Sequence, residues 1–123
     1  MEEYERYLDA TGRFLRSAES IIEESPEAVP LLAHRAVEHM IMALAHYYSP
    51  SEAVYLNSHG RRRSWLTKMI KGSLLPRRLL SIFDELTRIY KRTTYLLEDG
   101  ELAEEALDLA REAFRITRNA LRG

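Results

Sequence analysis

Chemistry in this sequence would have to come from its arginines and histidines. His59-Gly60-Arg61-Arg62-Arg63 runs into Trp65, Lys68 and Lys71, and a second cluster follows at Arg88, Lys91, Arg92, Thr93, Thr94 and Tyr95. Guanidinium groups offer paired donors to a phosphate, and hydroxyls add neutral ones. Arg61, Arg62, Arg63, Arg88, Arg92, Thr94 and Tyr95 are therefore the candidates for contact with phosphate or RNA. Three adjacent arginines span nearly a full helical turn and cannot share one face. Trp65 would stack on a base if it were exposed. The competing expectation puts Trp65 in the core and pairs the arginines with acids of the first and last helices. The second cluster would then be a solvated helix end whose cations complement the dipole.

A histidine set lies upstream. Arg35, His39, Met42 and His46 step by four, three and four along one helical stripe, with His34 and Glu38 on the stripe beside it. His39 and His46 stand about 10.5 Å apart along the axis, too far to ligate one ion. No H-E-x-x-H pattern occurs, so no metal and no other cofactor is expected. His39, Met42 and His46 are expected as contacts at a subunit interface, which protonation at about pH 6 would loosen. The acidic pairs Glu2-Glu3, Glu23-Glu24 and Glu104-Glu105 read as solvated helix faces. Neither a Ser/His/Asp motif nor a glycine-rich phosphate loop is present, and no catalytic residue is assigned.

The elements that must position these residues are helical. Tyr4, Leu8, Thr11, Leu15, Ala18 and Ile22 recur at helical spacing, widened by Tyr7, Phe14 and Ile21. Ser25-Pro26 stops that helix, and Pro30 fits the first turn of the next, which runs to about Tyr48. This second helix is the most apolar and should be central. Residues 49–58 read as a loop. Ser58 is the expected N-cap of a short helix over His59 to Lys71, with Gly72 beyond its end at the C′ position. Pro76 opens a fourth helix, through Leu79, Phe83, Leu86, Tyr90 and Thr93. A turn follows over Leu96 to Gly100, and Asp99 is placed to cap a last helix carrying Leu102, Ala106, Leu109, Ala113, Ile116 and Ala120. No segment alternates as a strand does. The expected architecture is one all-α domain over residues 1–123, an antiparallel four-helix bundle with an extra short helix.

Composition bounds the rest. The chain has 123 residues, enough for one self-sufficient core, and it has no Cys, which removes disulfides and thiolate chemistry. Its longest apolar run, Met40 to Ala45, is far short of a membrane span, and its acidic N-terminus is unlike a signal peptide. A soluble, cytoplasmic protein is expected. Gln is absent, Asn occurs twice and Arg outnumbers Lys by 15 to 3, a composition that leans towards a thermophile source. The net charge of −1 hides a strong asymmetry. Residues 1–58 carry 10 acids and 4 bases (−6), residues 59–92 carry 2 acids and 10 bases (+8), and residues 93–123 carry 7 acids and 4 bases (−3). A basic centre between acidic ends is the main compositional pointer to a polyanionic partner.

The order of these features resembles a known family. An acidic first helix precedes Ala33-His34-Arg35-Ala36-Val37-Glu38-His39-Met40-Ile41-Met42-Ala43-Leu44. Ser58-His59 then opens the short helix, an Arg-bearing helix ends in Thr94-Tyr95, and Glu104-Glu105-Ala106-Leu107-Asp108-Leu109-Ala110 begins the last. Over nearly its whole length the chain is similar to the HEPN domain (higher eukaryotes and prokaryotes nucleotide-binding) in its small stand-alone prokaryotic form. The resemblance implies a four- to five-helix bundle that dimerises. It also implies a place in a toxin–antitoxin or defence system, or beside a small nucleotidyltransferase partner. RNase members of the family use an Arg followed, after four to six residues, by a His, in a site formed across the dimer. Arg88 and Arg92 match the Arg, but the last His of this chain is His59. Tyr95, separated from Arg88 by six residues, stands at the His place, and its reference pKa of about 10 makes it a poor acid or base at neutral pH. The expectation is a dimeric module that binds RNA, a nucleotide or a protein partner without efficient RNase activity. The alternatives are a divergent RNase toxin that uses His59 brought near Arg88, and a purely structural adaptor bundle.

Overall fold

The computed structural model describes residues 1–95 and 101–122, apart from the side chains of Thr94 and Tyr95. The expected turn over Leu96 to Gly100, and with it the Asp99 cap, lies outside the described residues. Helices α1 (Glu3–Ile21), α2 (Val29–Tyr48), α3 (Pro50–Ala53), α4 (His59–Lys71), α5 (Arg77–Tyr95) and α6 (Ala103–Arg122) follow in order. One 3₁₀ turn, Pro26–Ala28, leads into α2, and no strand occurs among the described residues. The fold class is all-α. None of the described helices is long and apolar enough to cross a membrane.

Helix α2 is the central element, as its composition requires. It buries Val29, Ala33, Ala36, Val37, Met40, Ile41 and the run Met42 to Ala45, and it packs against α1, α5 and α6. A helix that is apolar around most of its circumference is stable only when other helices cover it. Small side chains let α1 come close: Ala18 on α1 and Ala33 and Ala36 on α2 are fully buried. The Thr11 hydroxyl, also fully buried, donates to the Tyr7 carbonyl at 2.9 Å and lies 3.4 Å from the Ala36 carbonyl across the interface. Phe83, Leu86 and Ile89 of α5 and Ala106, Leu107 and Ala110 of α6 complete the core. The Tyr48 hydroxyl reaches the Ala120 carbonyl at 3.3 Å and ties the end of α2 to α6.

Two local expectations are corrected. The stretch 49–58 contains a helical turn, α3, with Pro50 at its first position and Ala53 and Leu56 buried as anchors. At the other end of α4, Gly72 is the C-cap at φ −81°, and its amide still donates to the Lys68 carbonyl at 3.0 Å. The left-handed C′ residue is Ser73, at φ 60°. The Ser73 amide bonds the Ile70 carbonyl and the Leu74 amide bonds the Met69 carbonyl, both at 3.0 Å, which is a Schellman termination built on a serine. The start of α4 is as expected: the Ser58 hydroxyl accepts from the Arg61 amide at 3.2 Å.

Candidate functional site

On α2, His34 and Glu38 are four residues apart and therefore share a face. Glu38 is 8% exposed and is the one charged residue buried among the described residues. The docking of α4 across α2 brings its first residue, His59, to the same point. His59 Nδ1 lies 2.9 Å from Glu38 Oε1, and His34 Nε2 lies 3.5 Å from the same oxygen. Arg62, one turn along α4, places Nη1 3.0 Å from Glu38 Oε2. A buried carboxylate persists only when its charge is matched and its lone pairs are bonded, and these partners do both.

Aromatic surfaces fix the two imidazoles. Phe83 of α5 stacks on His59 with centroids 4.7 Å apart, and Tyr90 stacks on His34 at 4.9 Å. The Thr87 hydroxyl donates to the Phe83 carbonyl at 2.8 Å and lies 3.4 Å from His34 Nε2. Burial pushes the His34 imidazolium below its ordinary pKa. The Glu38 charge opposes that shift, while His59, Arg35 and Arg62 reinforce it.

His59 also faces a second feature. An open groove of about 650 Å³ between α4 and α5 is lined by His59, Arg63, Asp84, Thr87, Arg88, Lys91 and Arg92. Arg63 is held in a two-pronged bond to Asp84, with both contacts at 2.8 Å, which keeps its guanidinium strongly basic. Arg88 pairs with Glu85 one turn back on its own helix. Lys91 is exposed and forms no ion pair among the described residues. The groove therefore presents cations from two helices with one acid among its lining, and it can hold phosphate oxygens.

The three consecutive arginines diverge, as their spacing requires. Arg61 bonds the Tyr55 carbonyl at 3.1 Å, Arg62 turns inward to Glu38 and Arg63 lines the groove. Their acidic partners come from α2 and α5, in place of the first and last helices. Trp65 is 3% exposed and belongs to the core, so it offers no face to a base. Arg88 and Arg92 share the groove with His59. Thr94 and Tyr95 end α5, and their side chains lie outside the described residues. The residues expected at a subunit interface are engaged within the chain. His39 packs on Tyr7 and Phe14 of α1, His46 stacks on Tyr7 at 5.2 Å, and Met42 is 7% exposed.

Sequence reasoning missed the convergence of His34, Glu38 and His59. Half of its signal was legible, since His34 and Glu38 stand at i and i+4. The third member comes from another helix, and only the docking of α4 supplies it. Among the described residues this is the set of His, Asp and Glu side chains whose ligating atoms approach closely enough to share a metal ion. Comparison of the chain with protein-family models, curated proteins and solved structures finds no match.

Proposed function

We propose that this protein is a HEPN-like helical module that binds the phosphates of RNA or a nucleotide in the groove between α4 and α5. In this reading α1, α2, α5 and α6 form the four-helix bundle, and α4 is the added short helix. The observation that carries it is the gathering of Arg63, Arg88, Lys91 and Arg92 around one open groove. These side chains come from the basic central segment, and solvent reaches them all. Guanidinium and ammonium groups spaced along such a groove suit a chain of phosphodiesters better than an apolar ligand. The test is binding of a short labelled RNA by fluorescence anisotropy at about 50 and about 200 mM salt. Affinity that falls steeply with salt, and falls again in Arg88→Ala, supports the groove. An absence of binding at the lower salt sinks it and points to a protein partner such as a nucleotidyltransferase.

One observation favours a second reading, RNA cleavage. His59 lines the same groove as Arg88 and Arg92, and Glu38 holds its Nδ1. A histidine oriented by a carboxylate is suited to take the proton from a ribose 2′-hydroxyl. The 2′-oxygen would then attack phosphorus, the bond to the 5′-oxygen would break, and that oxygen would leave with a proton from water. The products are a 2′,3′-cyclic phosphate and a free 5′-hydroxyl. Incubation of labelled RNA with the protein decides the matter. Cleavage that His59→Ala abolishes supports this reading, and intact RNA removes it.

A further inference from the structure

We infer that His34, Glu38 and His59 form a binding site for a divalent transition-metal ion. Oε1 of Glu38 lies 2.9 Å from His59 Nδ1 and 3.5 Å from His34 Nε2, and one ligating atom from each of the three side chains lies within 4.8 Å of the other two. Ligands at about 2.0–2.1 Å from a tetrahedral ion are separated by about 3.4 Å, so closing this trio needs only side-chain adjustments. The donor set selects the ion class. Two imidazoles and one carboxylate suit zinc, iron, cobalt or nickel, whereas magnesium and calcium prefer oxygen alone.

The surroundings are those of a ligand set held in place. Phe83 stacks on the His59 ring and Tyr90 on the His34 ring, which limits their rotation. Arg62 occupies the other carboxylate oxygen, Oε2, and leaves Oε1 directed at the two imidazoles. Outer contacts of this kind orient ligands. The contacts that metal would displace are weak or shared: Thr87 stands 3.4 Å from His34 Nε2, and Glu38 Oε1 is divided between two imidazoles. A cavity of about 490 Å³, lined in part by Tyr7, Tyr90 and Arg62, opens onto His34 and Glu38 and leaves room for water or a small ligand at a fourth position. Three protein ligands with an open position are the arrangement of reactive metal centres rather than purely structural ones.

The inference does not rest on phosphate binding in the groove, although His59 belongs to both, and its test uses no nucleic acid. Chelator-treated protein is titrated with Co²⁺, read by visible absorption, and with Zn²⁺, read by calorimetry. One ion per chain, bound in the micromolar range or tighter, is expected, with Zn²⁺ displacing Co²⁺. His59→Ala, at a partly exposed helix start, should keep the helical circular dichroism and lose at least about tenfold in affinity, a loss no smaller than outer-contact changes cause. Glu38→Gln should lose as much, while His46→Ala, away from the trio, should bind normally. No saturable binding by the intact protein overturns the inference. So does equal binding by folded His59→Ala, which would place the ion on other histidines.

Discussion

Glu38 concentrates the electrostatics of the molecule at one side chain. Its two oxygens are shared among Arg62, His59 and His34, and the side chain is 11% exposed. Removal of one partner of a buried group costs more than the bond was worth, because the remaining group stays desolvated. Arg62→Ala is therefore expected to destabilise the protein by about 1–3 kcal/mol, read as a lower denaturant midpoint at pH 7. A midpoint equal to that of the parent would mean that the imidazoles alone satisfy the carboxylate. His34 sets a pH dependence in the metal-free protein. The groups facing it are Glu38, His59, Arg35 and Arg62, and burial, reinforced by all of them but Glu38, outweighs that carboxylate and holds its pKa below 6.5. The unfolded chain then binds the proton more readily than the folded one. Stability is complete above pH 6.5 and is lost as pH falls through the window below it. Chelator-treated protein should therefore show a denaturant midpoint that drops between about pH 7.5 and about pH 5, and His34→Gln should flatten that drop. Parallel profiles in the two proteins would remove His34 as the cause.

Helix α4 carries most of what the site needs, since its first residue supplies His59 and its next turn supplies Arg62 and Arg63. Its start was legible in the sequence, because Ser58 has the one hydroxyl placed to cap it. Its end was less so. The glycine rule pointed to Gly72, but the helix keeps one more bond, and the left-handed turn falls on Ser73. A residue with a Cβ pays about 1–2 kcal/mol in that conformation. Ser73→Gly should recover part of it, since glycine also loses more chain entropy on folding. The expected gain is about 0.5–1 kcal/mol, seen as a higher melting temperature with unchanged helical content. A lower melting temperature would show that the serine side chain contributes more than its backbone strain costs. The long helices could be read from apolar spacing alone, as Leu79, Phe83 and Leu86 on α5 show, all of them buried. Helix α3 could not, because a single turn has no period to display.

Across the whole molecule the charge map tells less than the pairing does. The segment 59–92 carries a surplus of positive charge, and the fold gathers much of it on α4 and α5. Many of these cations are already partnered: Arg62 with Glu38, Arg63 with Asp84, Lys68 with Glu52, Arg78 with Glu112 and Arg88 with Glu85. No inspection of sequence reveals this, because each pair except Arg88 with Glu85 joins residues from different helices. The pairs differ in how easily they yield. Arg62 meets a buried carboxylate and stays, whereas Arg63 and Asp84 are each nearly half exposed. Exposed pairs hold about 0.2–1 kcal/mol, so a phosphate can displace Asp84 or Glu85 at little cost. The groove should therefore engage a single-stranded RNA through Arg63, Arg88, Lys91 and Arg92 at most. Each neutralised phosphate adds about −0.7 to the slope of log affinity against log salt, which gives a slope of about −2 to −3. Lys91→Ala should make that slope shallower by about 0.7, since its ammonium has no acid to trade among the described residues. Lys71→Ala, at the far end of α4, removes the same formal charge outside the groove and should leave the slope unchanged. Equal losses in the two variants would mean that RNA meets a diffuse basic surface, and the groove would then have no special claim on it.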